Sequence, residues 1–302
     1  MTPAKGKRDR PPLPVKGVRV RLDPAWPPGR ALRELVRGCL VQLEANTPHA
    51  GGARSGECLH QARISLRRMR SALRLASREG PQVDSLRDEL GRLSEILGAA
   101  RDWDVFIATA PAHPQAAHVL KAARRKRTLA LSRVRAALRS KRHKALLAEV
   151  GLWIETLPAR SWLRTSLPDY APRLLRKLHK RLLRDAAGLQ GGTPEERHSV
   201  RIDAKHLRYA VEFFGTLYPP GEVRRYLRLV VALQDALGAL NDAATARRLL
   251  AELSVGDTTA ALIGTTSEAT DARNLAVACE AIETLSGYAR FWKKSPRHGG
   301  HQ

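Results

Sequence analysis

A chain of 302 residues with 53 Lys or Arg against 29 Asp or Glu carries a formal net charge of +24, which favours an anionic partner through steering and accumulation. Its 43% hydrophobic content excludes wholesale disorder and leaves one large domain or two similar units with a shared interface. Only three cysteines, Cys39, Cys58 and Cys279, and no apolar run of 18 residues exclude a disulfide framework and a membrane-spanning helix.

Residues 1–28 are rich in Pro and basic residues and suit an extended arm. Helical periodicity begins at 29–44, with Leu32, Leu35, Val36, Cys39 and Leu43 on one side and Arg30, Arg33 and Arg37 on another. A loop over 45–57 leads to a long helix at about 58–78. The next, at about 82–97, starts after Pro81 and ends at Gly98, with Asp102 expected to cap the succeeding element. Residues 115–150 are helical and hold eleven Lys or Arg between Lys121 and Lys144 with no Asp or Glu. That run is either a solvated face or a ligand contact. A connecting segment over 151–171 contains Pro158 and Pro168, with Trp153 and Trp162 as packing anchors. The second unit, 172–292, predicts helices at about 172–187, 196–217, 222–238, 242–253 and 270–292, and 293–302 form a mobile tail. Strand-like alternation is sparse, so the fold class is all-α.

The central feature is a basic helical stripe that occurs twice. His60, Arg63, Arg67 and Arg70 follow the spacing i, i+3, i+7, i+10, and His198, Arg201, Lys205 and Arg208 repeat it. The first copy is followed by L-G-A-A-R-D at 97–102 and the second by L-G-A-L-N-D at 237–242. The preceding helices align as well, pairing Arg30, Arg33 and Arg37 with Arg173, Arg176 and Lys180, and three ordered blocks at nearly constant separation imply a duplicated helical unit, here 29–150 and 172–292. At about 100° per residue, Arg63, Arg67, Arg70 and Arg74 share one sector and Ala62, Leu66, Met69 and Leu73 another. Each helix therefore pairs a core face with an adjacent cationic stripe. Glu212 replaces Arg74 in the second copy, so that stripe is shorter or internally paired.

Guanidinium groups suit phosphate through their planar donors, and a helix repeats them along a linear polymer. Neutral His60 or His198 adds a hydrogen bond and gains a proton more readily beside a polyphosphate. Aromatics make up 5% of the chain and the stripe around His60 contains none, which disfavours base stacking and shifts the expectation from nucleic acid to bare phosphate. Non-specific binding to RNA or DNA backbones stays open, as does a metal-dependent phosphohydrolase using Asp102 or Asp242. No P-loop, nucleophile elbow or HExxH is present, and the histidines form no compact metal motif. No cofactor and no metal are expected. Without an N-terminal apolar stretch, the cytoplasm is the expected compartment.

The duplicated H-x-x-R-x-x-x-[RK]-x-x-R helix, with its later L-G-x-x-[RN]-D block, resembles the CHAD family, the conserved-histidine α-helical domain, over about 29–292. The resemblance implies two four-helix bundles related by a pseudo-two-fold axis, and a basic central surface that binds inorganic polyphosphate without catalysis. It also implies association with polyphosphate granules. It selects His60, Arg63, Arg67 and Arg70 with His198, Arg201, Lys205 and Arg208 as binding residues. Arg33 and Arg37, with Arg176 and Lys180, are the expected groove walls, and Arg74 extends the first stripe.

Overall fold

The structure, a computed structural model, describes residues 13–52, 56–76, 80–110, 116–156, 165–253 and 268–293. Among the described residues, nine α-helices carry the fold: α1 (Pro28–Asn46), α2 (Gly56–Leu75), α3 (Pro81–Thr109), α4 (Ala117–Arg139), α5 (Lys141–Thr156), α6 (Leu167–Asp185), α7 (Pro194–Phe214), α8 (Pro220–Glu252) and α9 (Glu268–Gly287). Two short 3₁₀ turns follow α7 and α9. The fold is all-α, with two similarly packed subdomains, α1–α5 and α6–α9. The first has five helices because the expected run over 115–150 breaks at Ser140, whose extended backbone ends α4 and whose Oγ accepts from the His143 N–H at the start of α5.

The core faces are those the periodicity predicts. Leu32, Leu35, Val36 and Leu43 on α1 are buried, as are Leu66, Met69 and Leu73 on α2 and Leu207, Val211 and Phe214 on α7. Each such side chain contributes about 2 kcal/mol on burial. The α7 start is fixed by a capping box between Thr193 and Glu196. Trp153 is buried as expected, whereas Trp162 and Pro158 lie outside the described residues.

Several boundaries differ from the periodicity reading. α3 does not end at Gly98, and α8 does not end at Gly238; both continue for more than ten further residues. A glycine inside a helix costs about 1 kcal/mol against alanine without stopping it, and the flanking residues are good helix formers. Asp102 and Asp242 therefore lie within helices and are not caps. α6 begins at Leu167 rather than 172, because Ser166 caps it and Pro168 occupies the first turn, where a missing N–H costs nothing. α9 ends at Gly287, and a separate turn drives Phe291 and Trp292 into the core against Tyr226.

Residues 13–23 run without helix or strand but are not loose, and a turn at 24–26 leads into α1. Val15 exchanges two hydrogen bonds with the Asn46 side chain, Leu22 is buried, and the Leu22 N–H donates to Thr216 Oγ1 in the second subdomain. Residues 1–12, and the expected tail from 294 onward, lie outside the described residues.

Within each subdomain consecutive helices pack on one another, and α1 closes on α5. Between them, α1 meets α6, α2 meets α7 and α3 meets α8. Each of these six helices thus contacts its own counterpart, as an isologous two-fold interface requires.

Candidate functional site

The meeting of α2 and α7 brings the two stripes together, because each stripe sits next to a core face that is already committed. The Arg63 guanidinium is pushed down to about 10 by burial and by Arg67, Arg101 and Arg201, with partial relief from Asp102. Arg201 is lowered by burial and Arg67 while Asp242 opposes the shift. Lys205 falls further, to about 7, through burial and the charges of Arg201, Arg67 and Arg63. His60 is held below its ordinary value by burial and by Arg101, Arg67 and Arg63, so it is neutral at pH 7. Cations from both subdomains therefore crowd one partly dry region.

Between α2 and α7 lies a cavity of about 330 Å³ lined by Arg67, Arg70, Arg74, Arg87, His198, Lys205 and His206, with Ser71, Ile202 and Tyr209. No carboxylate is among these lining residues. Nε of Arg67 is buried with no hydrogen-bond acceptor. Burial and the neighbouring Arg87 and Arg181 also lower Arg74. Such a concentration of like charge stores repulsion that an anion would relieve.

Glycines on α3 make room for this cluster. A Cβ at Gly98 would stand 2.6 Å from Nη1 of Arg63, and one at Gly91 3.2 Å from Nη2 of Arg70. The glycine of the L-G-A-A-R-D block is thus a seat for an arginine of α2. Asp102 accepts from Nη2 of Arg248 at 3.4 Å, tying α3 to α8 across the subdomains, and burial raises its pKa despite Arg63 and Arg248. Anchoring arginine is the role its position supports.

The expected site residues divide into two groups. His60, Arg63, Arg67, Arg70, Arg74, His198, Arg201 and Lys205 belong to the cluster or its cavity. Arg208 is held by Glu212 at 2.8 Å and by Gln234 on α8 at 3.1 Å, so the second stripe is internally paired. Arg37 binds Glu34 and Glu155, which fastens α1 to α5 and raises the Arg37 pKa. Arg33 is half-buried on α1, and Arg176 and Lys180 are exposed on α6; none of the three lines the cavity.

The periodicity reading missed Arg87, Arg101, His206 and Arg248. Arg101 lies inside the quoted L-G-A-A-R-D block and was within reach of that motif; Arg87 gives no local signal. On α6 the cations facing a cavity are Arg173, Lys177 and Arg181, spaced i, i+4, i+8, and not Arg176 and Lys180. Among the described residues there is no group of three or more His, Cys, Asp or Glu able to hold a metal, and no helix long and apolar enough to cross a membrane. Cys39 and Cys58 are buried and Cys279 half-buried, and none of the three is joined in a disulfide.

A family model described as the CHAD domain matches residues 34–251. The crystal structure of the CHAD domain from the plant Ricinus communis superposes with a TM-score of 0.76 at 30% identity, covering 94% of this chain and 99% of that one. PptA from Streptomyces chartreusis superposes with a TM-score of 0.62 at 18% identity, covering 87% of this chain and 100% of that one, which shows a shared fold. No curated protein sequence matches.

Proposed function

The chain belongs to the CHAD-domain family, and from that premise we propose that it is a non-enzymatic module that binds inorganic polyphosphate on the seam between its subdomains. The observation that carries this reading is the cavity between α2 and α7, where five Lys or Arg side chains and two histidines converge with no lining carboxylate. A polymer of phosphates offers regularly spaced charge and no apolar surface. It matches two rows of guanidinium groups repeating every three or four residues. His60 and His198 supply hydrogen bonds at the ends of the rows.

Nucleic acid is the weaker reading, because the one aromatic lining this cavity, Tyr209, is 9% exposed and stacks on Phe213. It is not free to serve as a platform for a base. The hydrolase reading weakens with Asp102 bound to Arg248 and placed in mid-helix. The polymer-binding role carries with it recruitment to polyphosphate granules in the cytoplasm.

Replacing Arg63, Arg67, Arg201 and Lys205 together by Ala is expected to weaken long-chain polyphosphate binding at least a hundredfold, since each charge-assisted contact contributes about 1.5–3 kcal/mol. Calorimetric titration of the folded variant, beside RNA at matched charge and ionic strength, tests this. Unchanged affinity, or RNA displacing polyphosphate, would overturn the assignment.

A further inference from the structure

A second cavity, of about 510 Å³, lies beside the first, between the C-terminal end of α2, α6 and α7. Its lining combines two chemistries. Arg74, Arg173, Lys177 and Arg181 supply the charge, and no carboxylate is among the lining residues. The same lining includes Leu75, Tyr170 and the buried Phe213, with Leu174 and Leu178 on α6 next to its cations. Arg181 is oriented by Asp203, buried behind it, at 3.0 Å, and by Asp185 at 3.5 Å. The Tyr170 hydroxyl donates to the Leu75 carbonyl, which steadies that wall. Ser71, Arg74 and His206 line both cavities, so the two are joined at Arg74.

Inorganic phosphate gains nothing from leucine side chains, and an apolar metabolite gains nothing from four cations. A ligand that uses both the cations and the leucines has a flat, largely apolar ring and a phosphate chain. The volume falls within the range of small-molecule sites. The joining residue sets the orientation: the ring lies against the half-buried Leu75, Leu174 and Leu178, and the phosphates run past Arg74 toward Arg70 and Arg67.

We propose that this cavity is a binding site for a nucleoside triphosphate, whose phosphate end enters the polyphosphate cavity and competes with the polymer there. The phosphate end rests on the polyphosphate reading; the ring end does not.

Titration of the full chain with adenosine triphosphate and with inorganic tripolyphosphate separates the two ends. The nucleotide is expected to bind about tenfold more tightly, because the ring buries apolar area that tripolyphosphate lacks. Leu174→Ser, at a half-buried position, should remove most of that preference, and Arg173→Ala with Lys177→Ala should weaken the nucleotide about tenfold. Equal affinity of the wild-type chain for the two ligands overturns the proposal, as does nucleotide binding indifferent to all three substitutions. Long-chain polyphosphate titrated in parallel keeps the readings apart: if the polymer binds and the nucleotide preference is absent, only the nucleotide site fails. Loss of polymer binding with a retained nucleotide preference leaves the ring site standing and removes the competition.

Discussion

Within the two stripes, Lys205 is shifted furthest from its ordinary chemistry. Burial and the charges of Arg201, Arg67 and Arg63 bring it to about 7 from the ordinary 10.5, with Asp242 opposing. Below pH 7 the native state carries a charge it disfavours. Between about pH 7 and 10 the unfolded chain holds a proton that the folded chain has released, so this residue's contribution to stability improves as pH rises. A bound polyanion favours the protonated amine and reverses the preference at the site. Polyphosphate binding is therefore expected to take up protons near pH 7 and to weaken as pH rises from about 6 to 8. Titrations in two buffers of different ionisation enthalpy read the proton count. Lys205→Arg should flatten the profile while keeping affinity at low pH. A proton count of zero for the wild-type chain would sink this account.

At the scale of the helix, Gly98 and Gly238 occupy matching places in α3 and α8 but do different things. Gly98 leaves room for Nη1 of Arg63, whereas a Cβ at Gly238 meets nothing within 4 Å. Both alanine variants should gain about 1 kcal/mol of helix stability, raising the melting temperature by a few degrees. Only Gly98→Ala should also displace the Arg63 guanidinium and weaken polyphosphate binding severalfold. Thermal melts with paired titrations check this, and equal binding by the two variants would count against it. The outer helices show where the repeat has lapsed: α4 exposes Lys121, Arg124, Arg125 and Lys126, while its counterpart α9 carries Glu268, Asp271, Glu280 and Glu283. Neither α4 nor α9 forms one of the counterpart pairs between the subdomains, so nothing in that interface holds their charges alike. Helix faces were legible because burial repeats with the helical period, as Leu66, Met69 and Leu73 show. The expected ends at Gly98 and Gly238 differ from the structure because glycine is also tolerated inside a helix; at Gly98 the close approach of Arg63 gives it a use that only the neighbouring helix reveals, and at Gly238 no such approach exists.

For the whole molecule, the net charge of +24 and the shared cationic seam predict strong salt dependence. Raising monovalent salt from about 50 to 200 mM should weaken polyphosphate binding by orders of magnitude, and Arg67→Ala should reduce the slope of log affinity against log salt by about one. A salt-independent affinity would mean that the seam is not the contact surface. The duplicated sequence by itself determined the all-α class, the core face of each helix and which two helices carry the stripes, because these arise from local periodicity and from repetition. Only the tertiary structure decided which cations stand together. Arg37 and Arg208 have the right spacing, yet Glu155 on α5 and Gln234 on α8 hold them elsewhere. Arg87 and Arg181 join the cluster from α3 and α6 without any shared motif. A helical wheel assigns a side chain to a face, but its charge is neutralised or left free by neighbours distant in sequence, and those are set by packing α2 against α7.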